Sequence, residues 1–111
     1  MKTTSLPHKI EPHDGCVASA VKILGNKWTP LILLNMADCE RRFCEIERSL
    51  PGISPRTLSQ RLEELTEHGI ITKKPYAEVP PRVDYALTNK GRDFIPVLRQ
   101  MAAWGTKYGE Q

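Results

Sequence analysis

The sequence predicts a mainly α-helical domain that carries one small β-hairpin. Three observations predict it. Apolar residues recur at helical spacing in short segments between Cys16 and Leu65. The period switches towards alternation after Gly69. A last helical pattern follows Thr88. At 111 residues the chain is the size of one compact domain. The boundaries read as an N-terminal tail over residues 1–15 and a single domain over residues 16–111.

The tail holds Lys2, Thr3, Thr4, Ser5, Pro7, Pro12 and Gly15 without an apolar period, and its prolines discourage regular structure. Val17, Ala20, Val21 and Leu24 then fall on one helical face, and Gly25 stands where such a helix ends. Asn26 can cap a second helix running to Met36, with Pro30 in its first turn, where a missing N–H does little harm. Asp38 to Arg42 reads as a polar turn. Phe43, Ile46 and Leu50 mark a third helix closed by Pro51-Gly52. Ser54-Pro55 opens a fourth, Ser as cap and Pro at the first helical position. Its stripe is Leu58, Leu62 and Leu65, and Gly69 ends it after His68.

Ile70-Ile71-Thr72 and Val83 to Leu87 read as two short strands. Between them Lys73, Lys74, Pro75, Tyr76, Pro80 and Pro81 read as a loop too rich in proline for a central strand, so a long basic tip is expected. Thr88 can cap a last helix reaching Gly105 or Tyr108, kinked at Pro96. Short helices followed by a two-stranded hairpin make a winged helix-turn-helix, with the Phe43–Leu50 and Ser54–His68 helices as the paired unit.

Composition narrows the function. Hydrophobic residues make up 40% and charged residues 26%, which suits a globular chain. The longest apolar run, Leu31 to Leu34, is far short of the ~18 residues of a membrane span, and no secretory signal or membrane partner is expected. A net charge of +3 decides nothing by itself. The three cysteines, Cys16, Cys39 and Cys44, show no CxxC or zinc spacing, which fits a cytoplasmic protein with reduced thiols. Cys39 and Cys44 flank a turn and could approach each other, but they read more simply as structural thiols. His8, His13, Asp14 and Cys16 lie near one another in sequence but match no metal motif. No phosphate loop, GxSxG, HExxH or dinucleotide glycine pattern is present, so neither an enzyme nor a cofactor is expected.

The fourth helix carries the most chemistry. At about 100° per residue, Arg56 and Gln60 point away from the leucine stripe, with Thr57 and Arg61 beside them. The first turns thus present Ser54, Arg56, Thr57, Gln60 and Arg61, while Glu63, Glu64 and Glu67 fall in the second half. That order opposes the helix dipole, which favours acids at the start. A helix docked by its N-terminus on DNA supplies a reason: free N–H groups attract phosphate, Arg reads guanine and Gln reads adenine. An ordinary solvated face is the plainer alternative. The cations Lys73, Lys74 and Arg82 around the hairpin tip weigh against it, since in a winged helix they lie on the same side as the fourth helix.

The last helix spreads Phe94, Ile95, Val97, Leu98, Met101, Ala102, Trp104, Gly105 and Tyr108 over about 180°, where a surface helix needs a stripe of about 100°. A symmetry mate is the simplest second contact. A deeper groove within the chain is the alternative. Cys16, entering the first helix, can gain thiolate character from the helix N-terminus, against the opposing charge of Asp14.

Several ordered motifs resemble the HxlR-type transcriptional regulators. Gly25-Asn26-Lys27-Trp28-Thr29 with Leu31-Ile32-Leu33 resembles the family's opening segment. Arg42-Phe43, Leu50-Pro51-Gly52-Ile53-Ser54 and Leu58-Ser59-Gln60-Arg61-Leu62 match the next. The run from Glu78 to Thr88, Gly91-Arg92 and Ala103-Trp104-Gly105 complete the likeness. The resemblance implies a homodimeric winged-helix regulator related to the MarR group, with the fourth helix in the major groove and the loop around Pro80-Pro81-Arg82 as wing. It implies dimerisation through the N-terminal segment and terminal helices. Some members sense electrophiles or oxidants through a cysteine near the start of the first helix; Cys16 occupies that position, followed by Val17 where the family often has proline.

The expected function is therefore sequence-specific binding of double-stranded DNA by a homodimer on an inverted repeat, controlled by thiol modification or a small ligand. The competing class is a winged-helix module that binds protein instead.

Overall fold

The computed structural model describes residues 15–109. The tail assigned to residues 1–15 therefore lies outside the described residues except for Gly15, as do His8, His13 and Asp14. In chain order the elements are α1 (Val17–Leu24), α2 (Trp28–Asn35), β1 (Arg41–Arg42), α3 (Phe43–Ser49), α4 (Pro55–Glu67), β2 (Ile71–Tyr76), β3 (Arg82–Leu87), α5 (Asn89–Arg92) and α6 (Phe94–Tyr108).

Local chemistry explains the helix ends. Asn26 Oδ1 accepts the N–H groups of Trp28 and Thr29 at 2.9 and 2.8 Å, so it caps α2 as expected. Its amide donates to Thr29 Oγ1 at 2.8 Å, which satisfies the hydroxyl of a buried threonine. Ser54 caps α4 by accepting from Thr57 N–H at 3.0 Å, with Pro55 opening the helix. The α4 exit is a Schellman turn: Gly69 at φ 71 lets its N–H reach Thr66 O at 3.0 Å while Ile70 N–H reaches Leu65 O at 2.9 Å. Ile70 and Leu65 are both buried, the hydrophobic contact that accompanies such a turn.

The core is one cluster. Ile32, Leu33 and Met36 of α2 meet Ile46 of α3, Leu58, Leu62 and Leu65 of α4, Ile70, Ile71, Tyr85 and Leu87 of the hairpin, and Ile95 and Leu98 of α6. The leucine stripe read from α4 is the buried face. Gly91 sits where α5 meets the hairpin: a Cβ there would stand 2.1 Å from Ile70 O. Only glycine allows that approach, and Thr88 secures it through its N–H and Oγ1, each 3.0 Å from the same carbonyl.

Three details depart from the sequence reading. Arg41-Arg42 is a strand, not a turn, pairing with Tyr85 and Asp84, so the sheet has the antiparallel order β1-β3-β2. β2 continues through Lys73, Lys74 and Pro75 to Tyr76, so these residues form the hairpin's stem and the tip is shorter than expected. Pro75 is tolerated because β2 is an edge strand, whose outer N–H groups need no partner. The last helix is divided at Asp93, three residues before Pro96, where one continuous kinked helix was expected. Proline cannot donate to the carbonyl of Arg92, and the division leaves Pro96 in the first turn of α6, where no donor is missed. Among the described residues no helix is long and apolar enough to cross a membrane.

Candidate nucleic-acid interface

The start of α4 is built from its cap. Ser54 Oγ accepts Thr57 N–H and donates to Thr57 Oγ1 at 2.9 Å, so both hydroxyls stand together at the helix N-terminus. Arg56 and Gln60 are exposed, and their side chains make no hydrogen bond among the described residues. The first turn holds no acid. Arg61 is half-buried, and its Nη1 pairs with Glu64 Oε1 at 3.0 Å. It faces the α1–α2 corner, lining a groove with Lys22, Asn26 and His68. Arg56 and Gln60 thus form the outward ridge, and Arg61 lies on its flank.

In the hairpin the three cations differ. Register partners on a sheet share a face. Lys73 stands opposite buried Tyr85 and Lys74 opposite Asp84, so the two lysines occupy opposite faces. Lys73 lines a groove against α4 with Ser59, Glu63 and Glu67. Lys74 lies on the outer face, its Nζ 5.5 Å from the Tyr76 ring. Arg82 has neighbours on three sides: its guanidinium stands 4.0 Å over the Tyr76 ring, Nη1 is 3.6 Å from Glu78 Oε2 and Nε is 3.5 Å from Asp84 Oδ1, ion pairs that leave Nε and Oδ1 buried without a hydrogen bond among the described residues. Sequence reading assigned no role to Tyr76, Glu78 or Asp84; the i,i+2 spacing of Arg82 and Asp84 on a strand was the readable signal.

Cys16 precedes α1 and is exposed, its Sγ 2.9 Å from Ser19 Oγ. Hydrogen bonding to the Ser19 hydroxyl, aided by the Ser19 backbone, holds its thiol below the ordinary value. Ser19 is the partner that sequence reading missed. Cys39 and Cys44, expected as structural thiols, are exposed free thiols: Cys39 precedes β1 and Cys44 lies off the core stripe of α3.

The last helix has two apolar faces. Ile95 and Leu98 are buried, whereas Trp104 is 65%, Tyr108 60%, Met101 51% and Val97 47% exposed. Among the described residues, no groove of the protomer covers that second face. Val17 and Val21 of α1 are likewise exposed.

The HxlR-like helix-turn-helix family matches residues 23–111. An uncharacterized HTH-type transcriptional regulator of Methanothermobacter thermautotrophicus is 45% identical over 93 residues, covering 84% of this chain and 71% of that one. The redox regulator HypR in its oxidized form superposes with a TM-score of 0.80 at 36% identity, over 86% of this chain and 98% of that one. The reduced form of the transcriptional regulator YodB from Bacillus subtilis gives 0.75 at 34% identity, over 92% and 97%. YodB has also been crystallised with quinone bound.

Proposed function

The chain belongs to the HxlR-like helix-turn-helix family of transcriptional regulators, and from that premise we propose that it binds double-stranded DNA as a homodimer on an inverted repeat. The observation that carries this reading is the start of α4. Its cap leaves Arg56 and Gln60 exposed on the outward ridge, and its first turn holds no acid to repel phosphate. Arg56 reads a guanine edge and Gln60 an adenine edge in the major groove, while the Ser54 and Thr57 hydroxyls meet the backbone. Arg61 supports the flank of the helix. Lys73, Lys74 and Arg82 belong to the hairpin that lies towards the adjacent minor groove.

The second face of α6 supports the homodimer. A helix that exposes Trp104, Tyr108, Met101 and Val97 in one protomer has a large apolar area to bury against its twin. Two α4 helices related by a two-fold axis would then read half-sites about 34 Å apart, or a multiple of that. Residues 16–111 act as one cytoplasmic domain with residues 1–15 as its tail.

Thiol modification at Cys16 controls binding in this reading. The exposed thiol with its lowered pKa supports it, and so does the likeness to a protein described as a redox regulator. An electrophile such as a quinone is the effector class it suits.

Selection of bound duplexes from a random pool at near-physiological salt, repeated after mild peroxide or quinone, tests all of this. A palindromic consensus, and its loss once mass spectrometry finds Cys16 modified, is the expected result. Absence of any sequence preference would remove the groove-reading role and favour a protein-binding module.

A further inference from the structure

We propose that Arg82 is the positioning residue of the hairpin tip: it orients residues 77–81 on DNA through Tyr76, Glu78 and Asp84, without meeting a phosphate itself. The proposal rests on the DNA reading above. Tyr76 and Arg82 are register partners on the last rung of the β2–β3 ladder. The guanidinium lies 4.0 Å over the Tyr76 ring, so the rung is closed by a stack between side chains. Nη1 reaches out to Glu78 in the tip at 3.6 Å, and Nε reaches back to Asp84 in the central strand at 3.5 Å. One side chain thus joins the tip, the edge strand and the central strand.

Electrostatics favours the same role. Two carboxylates already neutralise the single charge of Arg82, and only 27% of its side chain is exposed. A phosphate at Arg82 would have to compete with both carboxylates and the ring. Residues 77–81 carry no other cation, and Val79 at the tip is fully exposed. The tip's one charged side chain, Glu78, is paired with Arg82, so Ala77, Val79, Pro80 and Pro81 can approach DNA only through shape and backbone groups, and such contacts need a fixed orientation.

Lysine preserves charge but lacks the planar group that stacks and forks, so Arg82→Lys separates the two roles. In the full chain, R82K and R82A should each weaken binding to the selected duplex tenfold or more, with the wild-type dependence on salt. Y76A should weaken it similarly and add little to R82K, whereas Y76F should bind nearly as wild type. In free R82K, hydrogen exchange at the Glu78 amide, which donates to Tyr76 O at 2.9 Å, should speed up several-fold, with the core of α4 unchanged. A direct phosphate contact predicts otherwise: R82K binds as wild type, and R82A lowers the logarithmic salt slope by about 0.9. That pattern, or unchanged exchange at the tip in R82K, would overturn the proposal. A wild-type chain that binds no duplex overturns the DNA reading and this role together. It is told apart from failure of the strap alone, in which DNA still binds and tip exchange does not move.

Discussion

Helices α4 and α6 each bury one apolar stripe, and they differ in what they leave outside. α4 buries Leu58, Leu62 and Leu65 and turns Arg56 and Gln60 to solvent. α6 buries Ile95 and Leu98 and turns out Val97, Met101, Trp104 and Tyr108. Both inner faces serve the same core. The outer faces cannot serve the same partner: a polar ridge with no acid at its start suits a polyanion, and an aromatic ridge suits another apolar surface. The proposed reading and assembly thus fall on different helices of one small domain.

The largest expected effect comes from breaking a face the two helices share. Leu62 is buried against the cluster, so Leu62→Ala should lower stability by ~2–5 kcal/mol through lost transfer energy and a residual cavity. Chemical denaturation at fixed protein concentration measures it, since a dimer's stability depends on concentration. Trp104→Glu attacks only the outer face of α6. The protomer should keep its helical content, because Trp104 is not in the core, while the dimer loses ~2 kcal/mol or more, as central aromatic anchors do. Sedimentation equilibrium would follow the shift to monomer. An unchanged dimer would mean that α6 is covered by something other than its twin.

Arg56→Ala is smaller and changes selectivity: a lost bidentate contact removes ~1–3 kcal/mol of discrimination at one base position. Lys73→Ala should weaken all sequences alike and flatten the logarithmic salt slope by about 0.9 if it meets a phosphate. Titrations on matched and scrambled duplexes at several salt concentrations separate the two. Equal behaviour of both variants would erase the distinction between reader and anchor.

Legibility in the sequence followed the range of the interactions. The α4 boundaries were readable because cap and exit are local chemistry, Ser54-Pro55 at one end and Gly69 at the other. The two apolar faces of α6 were readable from spacing alone. β1 was not, since two residues carry no period and Arg41-Arg42 become a strand only by pairing with β3. The same long-range pairing carried β2 past Pro75, and with it the alternation that separates Lys73 from Lys74. In the candidate site, the types of the cations were visible but not their partners. Arg82 meets Tyr76 only after the hairpin folds, so a residue read as one more positive charge stands between an aromatic ring and two carboxylates.

The smallest effect concerns how the two paired helices begin. α3 starts with a carboxylate: Glu45 Oε1 accepts the Arg42 N–H at 2.8 Å. That hydrogen bond is the main reason its carboxyl is held below the ordinary value, with Arg41, Arg42 and Arg48 adding to it. α4 starts with a hydroxyl, which does not titrate. A carboxyl with a lower pKa in the folded chain stabilises it fully above the unfolded value of about 4.3, and that contribution is lost as pH falls through the folded value. Acidification should therefore loosen the first turn of α3 while the cap of α4 holds. Glu45→Gln should flatten the acid limb of the stability profile, and Ser54→Ala should lower stability by ~1 kcal/mol at every pH. Denaturation of both variants between pH 6 and pH 3, roughly bracketing the carboxylate range, checks this. An acid limb equally steep in Glu45→Gln would show that the charge at the start of α3 does not stabilise it, and that the absence of acid from the start of α4 is no contrast at all.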